Sequence, residues 1–499
     1  TTGGNNVAVG TQSLRNNTAS NNSAVGYRAS HDNTSGTRNV SMGQDAMYQT
    51  TTGNDLVGIG NEALTRNTTG SSNVAIGKEA LSRNTTASNN TAVGHQAAYN
   101  NTTGTENTTL GRVSLLTNTT GNENTAIGSV ALYYNTTGSN NVAVGRQALN
   151  NNTTASNNTA VGFQAMLANT TGTANTAIGR NSLQANTTAD DNTASGMYSL
   201  YTNTTGASNT AHGRSALFSN TTGSSNVSVG AQALENNTTA SSNTAVGYQA
   251  GVSNTTGAFN TFVGKDSGLS ITTSSNSTFV GEYSGRSTTG GGNTFIGQGA
   301  GTLLTSGGNN TILGQYTGNQ HSLDIRTSSN MIVLSDGDGK PQLKCFSDGR
   351  WYFGLSTTGN GHINLVGEFG TSYKAIEFQR TNGGSSVGSI ITNTSSTSYN
   401  TSSDHRLKEN VDYTWDATTR LKQLKPARFN FIADADTTVD GFLAHEAQAV
   451  VPECVTGAKD AVDADGNPEY QGIDQSKLVP LLVKTIQELE ARITALEGA

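Results

Sequence analysis

Residues 140–154 read NNVAVGRQALNNNTT, and close variants of this stretch follow one another from residue 1 to residue 318. A glycine in the position of Gly145 recurs nineteen times between Gly10 and Gly314, with steps of 17 residues except for two steps of 16. Each unit contains a short β-branched segment, the glycine, a second short segment and a polar turn. Seventeen residues are too few for a strand and a helix with loops, so the repeat predicts one coil of a β-solenoid.

Two positions of the unit identify its core. The residue two before the glycine is usually Ala and the residue four after it is usually Leu, as at Ala143 and Leu149. In the last coils the pair becomes large and small: Phe262 with Gly268, Phe279 with Gly285, Phe295 with Gly301, and Ile312 with Gly318. This exchange keeps the summed volume roughly constant, which implies that the two positions touch inside one narrow core.

Strand alternation places the residue directly before the glycine on the opposite, outward face. That residue is apolar in all but two of the nineteen coils, for example at Val144 and Ile178. Because a continuous apolar stripe is unusual on a monomer, we expect it to pack against partner chains. The breaks are Ser195 and His212, and a hydrated histidine is a commoner arrangement than a metal or anion ligand, so no metal or cofactor is predicted.

Composition and charge exclude several classes of protein. Only 33% of the 499 residues are hydrophobic and 59 are glycine, so one large apolar core is not expected. Residues 1–320 contain twelve basic and twelve acidic residues, which leaves no basic stripe for nucleic acid. The longest apolar run, 478–483, is too short for membrane insertion. Because the chain starts inside a repeat without Met, we expect a preceding N-terminal part.

From residue 319 to residue 402 the period is lost and alternating strands replace it. Apolar segments at 331–334 and 343–346 flank the turn Asp336-Gly337-Asp338-Gly339, and further strands are expected at 375–378 and 387–391. Asp-Gly turns between such segments are typical of β-hairpins. A calcium loop at Asp336 and Asp338 is the weaker alternative, because the other ligands of such a loop are absent.

The last hundred residues differ in composition, with more charge and a helical periodicity. They contain SSDHRLKENV at 402–411, GFLAHE at 441–446 and VPE at 451–453. These motifs resemble the endosialidase-type intramolecular chaperone of phage tail fibres and spikes. The 17-residue repeat resembles the β-roll heads of trimeric bacterial adhesins and the shafts of phage tail fibres. We therefore divide the chain into a shaft at 1–318, a β-rich distal segment at 319–402 and an α+β chaperone domain at 403–499.

The chaperone resemblance implies a chemistry for the domain boundary. In that family a serine and a lysine five residues later form an autoproteolytic dyad, which Ser403 and Lys408 match. The implied scissile bond joins Ser402 to Ser403. Asp404 and Arg406 match the motif and are expected to shape its turn, and Glu446 matches the motif glutamate. His445 stands where many relatives have Gln.

The C-terminal segment has an apolar seam with alternating spacings of three and four: Val479, Leu482, Ile486, Leu489, Ile493 and Leu496. This spacing predicts a coiled-coil helix of under three heptads. The residue types alone favour a dimer, so the expectation of a trimer rests on the family resemblance.

Together these features predict a homotrimeric viral tail fibre, located in the virion and made in the host cytoplasm. We expect it to bind a host cell-surface receptor, a glycan by preference, and to join other tail proteins through the part before residue 1. Its only expected chemistry is one self-cleavage, without turnover. Two alternatives stay open. A polysaccharide-degrading tailspike needs a carboxylate pair, for which the solenoid offers only Asp190-Asp191, and a bacterial surface adhesin should end in a membrane anchor.

Overall fold

The computed structural model describes residues 3–347, 351–353, 373–379, 386–392, 397–401, 403–432, 434–462, 466 and 468–498. The chain divides into two compact units, Thr1–Ile363 and Asn364–Ala499. Within the described residues, none of the helices combines the length and the apolar character that a bilayer span requires.

The first unit is a β-solenoid in which nineteen coils each contribute one strand of three residues, which confirms the predicted fold class. The strands β1 to β19 are Val7–Val9, Ser23–Val25, Val40–Met42, Val57–Ile59, Val74–Ile76, Thr91–Val93, Thr108–Leu110, Thr125–Ile127, Val142–Val144, Thr159–Val161, Thr176–Ile178, Thr193–Ser195, Thr210–His212, Val227–Val229, Thr244–Val246, Thr261–Val263, Thr278–Val280, Thr294–Ile296 and Thr311–Leu313. Each strand pairs in parallel and in register with the strand of the next coil, as Ala160 does with Ala177.

The repeated glycine is required by its backbone and by its neighbour. Gly145 has a backbone φ of +135°, a conformation that residues other than glycine rarely adopt. A Cβ atom at this position would also collide with the carbonyl oxygen of Gly162 in the next coil. The same close approach recurs along the solenoid, so the glycines form a continuous line where successive coils touch.

The core lies where the sequence predicts it. In every coil after the first, the middle residue of the strand is buried, and Leu149 opposite Ala143 is fully buried as well. A Cβ atom at Gly285 would lie 2.7 Å from two ring carbons of Phe279, which confirms that these positions touch. At the last coil, the atoms nearest to a Cβ added at Gly318 belong to Leu304 and Leu303 of the preceding coil rather than to Ile312.

Asparagine ladders close the polar turns. The Nδ2 of Asn152 donates to Oδ1 of Asn135 at 2.8 Å and to the carbonyl oxygen of Ala155 at 2.9 Å, while its own Oδ1 accepts from Asn169 at 2.9 Å. A second ladder joins the backbone N–H of Asn158 to Oδ1 of Asn141 at 3.1 Å. Hydrogen bonds between coils therefore replace much of the apolar core that this composition lacks.

The sheet continues beyond residue 318. After a small antiparallel pair, β20 (Asn319–Gln320) and β21 (Leu323–Asp324), strand β22 (Ile332–Ser335) pairs in parallel with β19. It then forms the predicted hairpin with β23 (Pro341–Cys345), which pairs with β24 (Trp351–Phe353). At the turn of the hairpin, the Asp336 carboxylate accepts hydrogen bonds from backbone N–H groups at 2.8 and 3.1 Å.

The second unit contains an antiparallel sheet and an α+β region. Its elements are β25 (Tyr373–Gln379), β26 (Ser386–Thr392), β27 (Thr397–Thr401), a 3-10 turn (His405–Leu407), α1 (Ala417–Leu421), β28 (Ala427–Phe431), β29 (Asp434–Gly441), α2 (Ala444–Val450), a 3-10 turn (Pro452–Cys454), β30 (Val455–Thr456), β31 (Ala461–Val462), β32 (Pro468–Glu469), β33 (Gly472–Ile473), a 3-10 turn (Gln475–Leu478) and α3 (Val479–Glu497). The strands expected at 375–378 and 387–391 lie within β25 and β26. A small core around Ala417, Ala447, Val451 and Leu481 joins the three helices.

Candidate functional site

The predicted dyad lies in a tight turn at the start of the α+β region. Ser403 precedes the 3-10 turn His405–Leu407 and Lys408 follows it. The Nζ of Lys408 donates to Oγ of Ser403 at 2.7 Å, and both side chains are exposed in the single chain. A separation of five residues therefore becomes direct contact, because the turn folds the chain back on itself.

Asp404 and Arg406 hold this turn together. The Asp404 carboxylate accepts from the backbone N–H of Arg406 at 2.9 Å and from its guanidinium at 2.7 and 3.0 Å. The Arg406 guanidinium, followed by the backbone N–H, lowers the pKa of Asp404 below its usual value. The backbone N–H of Lys408 donates to the carbonyl oxygen of His405 at 3.0 Å. These contacts fit the turn-shaping role expected of Asp404 and Arg406.

The other motif residues lie apart from the dyad. Glu446 is in the first turn of α2, and its carboxylate accepts from Nζ of Lys425 at 3.4 Å. Among the described residues, Glu446 makes no polar contact with the turn 403–408. His445 is exposed beside it. Ser402, which carries the carbonyl group of the predicted scissile bond, lies outside the described residues.

The geometry of the pair sets a condition for chemistry. A serine hydroxyl is a weak nucleophile until a base takes its proton, and a lysine can do this only as a neutral amine. Burial or a neighbouring cation lowers the pKa of a lysine and favours that neutral form. In the single chain Ser403 and Lys408 are in contact but exposed, so a catalytic role for this pair would require an environment that excludes water.

Helix α3 has two apolar faces. Leu481 and Thr485 are buried against the rest of the α+β region. The six predicted seam residues lie on a neighbouring face and are between 42% and 77% exposed. We call this exposed set the α3 seam. The spacing therefore predicted a real apolar face, for which the single chain provides no cover among its described residues.

Sequence reasoning missed Glu488. Its carboxylate, on α3, accepts from the backbone N–H groups of Ala417 and Thr418 at 2.9 and 2.8 Å and from the Thr418 hydroxyl at 2.6 Å. The Thr418 hydroxyl and then these backbone groups lower the pKa of Glu488. The contact caps α1 from a helix 70 residues away, so no local pattern in the sequence could indicate it.

No metal centre is visible in the part of the chain that the structure describes. Within it, no group of three or more His, Cys, Asp or Glu side chains is placed to hold an ion.

In the solenoid, the stripe residues before the glycines are exposed or half-buried in every coil, and His212 is exposed among them. The outward facing of this stripe is therefore confirmed for the single chain.

A long solenoid followed by an α+β domain with a Ser-Lys turn fits a tail-fibre-like protein. Residues 403–456 match the model of a family described as the chaperone of endosialidase. No curated protein and no solved structure matches the chain. The matched span includes Ser403, Asp404, Arg406, Lys408 and Glu446, so the start of the C-terminal domain is similar to an intramolecular chaperone. The resemblance to phage shafts and adhesin heads stays a prediction.

Proposed function

We propose that this chain is a homotrimeric viral tail-fibre protein whose residues 403–499 drive trimerisation and are then removed by self-cleavage. The observation that carries the proposal is the contact between Lys408 and Ser403 at the first residues of the chaperone match. In the virion, the shaft would display a receptor-binding surface for a host glycan and would join other tail proteins at its N-terminal side. The host cytoplasm is the site of synthesis.

Two apolar surfaces support the assembly step. The solenoid stripe exposes residues such as Ile178, which is 45% exposed, and the α3 seam exposes a second set. Exposure of these apolar surfaces to water is unfavourable, and association with further copies of the chain, which present the same surfaces, would bury them. Association through the α3 seam would bring three chains together at their C-terminal ends, where the chaperone match lies.

The proposed cleavage follows an acyl shift. The Ser403 Oγ attacks the carbonyl carbon of Ser402 while neutral Lys408 takes the hydroxyl proton. The C–N bond then breaks, Lys408 returns the proton to the leaving amine, and an ester joins residue 402 to the Ser403 oxygen. Water hydrolyses that ester to a carboxylate and a free hydroxyl. Because an exposed ammonium cannot act as a base, burial of the turn in the assembled trimer supplies the neutral amine.

Mass spectrometry of freshly expressed protein tests the proposal. The unaltered chain should yield a fragment beginning at residue 403, whereas Ser403→Ala and Lys408→Ala should each leave one full-length chain. Lys408→Arg keeps the positive charge but cannot deprotonate near neutral pH, so it should also stay whole. Lys459→Ala and Ser402→Ala are matched controls that should cleave almost normally. A fragment beginning at 403 in the Ser403→Ala protein would show that the dyad is misassigned.

The coupling between assembly and cleavage has its own test. Ile486→Asp and Ile493→Asp place charges on the exposed α3 seam, which should block association without disturbing the buried face of the helix. We expect this double variant to remain monomeric and uncleaved. A monomer that still cuts itself at residue 403 would contradict the coupling and leave the dyad assignment intact.

A further inference from the structure

Four arginines occupy the same position in alternate coils between the seventh and the thirteenth coil of the solenoid. Arg112, Arg146, Arg180 and Arg214 each follow the repeated glycine directly and lie 34 residues apart. Backbone hydrogen bonds between successive coils hold this position in register along the whole stretch. At about 4.8 Å per coil, successive arginines are about 9.6 Å apart. We call this column the arginine track.

The arginine track carries four positive charges without an acidic partner among the described residues, although Arg180 also donates to Oδ1 of Asn181 at 3.3 Å. All four side chains are exposed, and among the described residues none of them forms a salt bridge. The nearest lysines in the same column behave differently, because Lys78 pairs with Glu79 at 3.3 Å and Lys265 with Glu282 at 3.6 Å. The arginine track is therefore a local excess of positive charge, and the lysines on either side of it in the column, Lys78 and Lys265, are paired with acidic residues. An unpaired guanidinium is costly to bury, so the track should stay open to solvent in an assembly.

The coils between the arginines place less polar side chains in the same column. Ser129, Phe163 and Met197 alternate with the arginines, and Phe163 and Met197 are 37% and 38% exposed. The Arg146 guanidinium lies 5.9 Å from the Phe163 ring centre. From Arg146 to Arg214 the column therefore alternates guanidinium groups with the apolar side chains of Phe163 and Met197.

We propose that the arginine track binds a linear acidic polysaccharide that carries one carboxylate per disaccharide. An extended disaccharide is close in length to the interval of two coils, so each carboxylate can meet a guanidinium while the C–H face of the next sugar meets Phe163 or Met197. Guanidinium groups suit carboxylates because their planar donors bind both oxygens. This deepens the host-glycan binding of the proposed function by naming the class of glycan.

The charge interval disfavours a nucleic acid as the occupant. Duplex DNA carries one charge per about 1.7 Å of its axis, which is several times denser than the track. The shaft as a whole is neutral over residues 1–320 and so lacks the broad positive field that such a polymer requires. A polysaccharide with one negative charge per two sugars matches the interval between the track arginines better than a nucleic acid does.

Binding of hyaluronan to the full-length protein, measured by calorimetry, tests the proposal, with neutral dextran and duplex DNA as comparison polymers. Hyaluronan should bind, dextran should not, and duplex DNA should bind more weakly than hyaluronan. The variant with all four track arginines changed to Gln should lose affinity for hyaluronan by about tenfold or more, as four exposed charge contacts are removed. A second variant, Ser129→Arg with Arg146→Ser, keeps the charge and the column but breaks the interval, and it should also bind more weakly.

Three outcomes would overturn the proposal: no binding of hyaluronan or of a second uronate polymer, heparosan; equal affinity in the permuted variant; or tighter binding of DNA. Both variants leave residues 403–499 unchanged, so they should still assemble and release the C-terminal fragment. A failure of the arginine track is thereby distinguishable from a failure of assembly or cleavage.

Discussion

Replacing Gly285 by Leu while Phe279 is kept should destabilise one coil of the shaft. The new Cβ would lie 2.7 Å from two ring carbons of Phe279, and φ at this position is +60°. Overpacking a core costs about 1–3 kcal/mol, and a left-handed conformation adds about 1–2 kcal/mol for a residue other than glycine. We therefore expect a loss of about 2–5 kcal/mol in the free energy of opening that coil.

Substitution of Phe279 separates the cost of overpacking against its ring from the cost of the positive φ at residue 285. Phe279→Ala alone removes a ring that lies 5.8 Å from Phe262 and 5.0 Å from Phe295, at a cost of about 3–5 kcal/mol. The double variant recreates the Ala and Leu pair of the earlier coils, so its loss should be smaller than the sum of the two single losses by about 1–3 kcal/mol. Gly299→Leu is the control for φ, because its φ is +66° and no atom lies nearer than 3.5 Å to its added Cβ.

Hydrogen exchange provides the measurement. Solenoid coils open in part independently, so a single unfolding midpoint does not report on one coil. The N–H of Gly285 donates to the carbonyl oxygen of Ala300 at 2.8 Å, and exchange across 279–300 reports the local opening free energy. Additive losses in the double variant would refute the contact. A loss in Gly299→Leu as large as that in Gly285→Leu would show that φ, rather than overpacking, dominates.

Three further predictions concern the stripe, the ladder and the α+β domain. Val144→Asp with Ile178→Asp should dissociate or misfold the shaft, since unpaired charges would replace apolar contacts between chains; an intact oligomer in native mass spectra would refute this. Asn152→Ala should cost about 1 kcal/mol more than Asn254→Ala in local exchange, because only Asn152 also accepts a hydrogen bond from the next coil; equal losses would contradict the ladder. The depressed pKa of Glu488 stabilises the fold above its unfolded-state pKa and loses that effect as pH falls through the folded value. Glu488→Gln should lower stability at neutral pH and flatten the acid limb followed by circular dichroism, and an unchanged acid limb would refute the linkage.

The period and the volume exchange were enough to predict the coil and its core. The backbone conformation of the core leucines was not predictable in the same way. Leu149 has φ of +49°, although sequence rules reserve positive φ for Gly and Asn. Full burial of its side chain in a narrow core offsets this local cost. The later coils have Gly268 and Gly285 in place of these leucines, at φ of +63° and +60°. The replacement of leucine by glycine therefore also relieves backbone strain, which a comparison of residue volumes does not reveal.

The end of the repeat shows why a strict period fails. Thr311 pairs with Ile332, a step of 21 residues in place of 17, because the small antiparallel pair at 319–324 takes up part of the extra chain. The sheet therefore continues where the pattern stops. In the α+β domain, the spacing of Ser403 and Lys408 predicted a contact within one turn, whereas the contact of Glu488 with α1 depends on tertiary structure.

The repeat that builds the shaft does not by itself fix how neighbouring chains would align. Every coil presents nearly the same outward residue, so a shift of one chain by a whole coil exchanges valine and isoleucine contacts at little cost. Only a few features differ along the stripe, among them Ser195, His212 and the two steps of 16 residues. On the proposed function, a domain that associates first at the C-terminal end would set the register before the coils of different chains pair. Once the chains are joined, a slip by one coil would require the stripe contacts of many coils to break together, so the proposed self-cleavage could remove the domain that set the register.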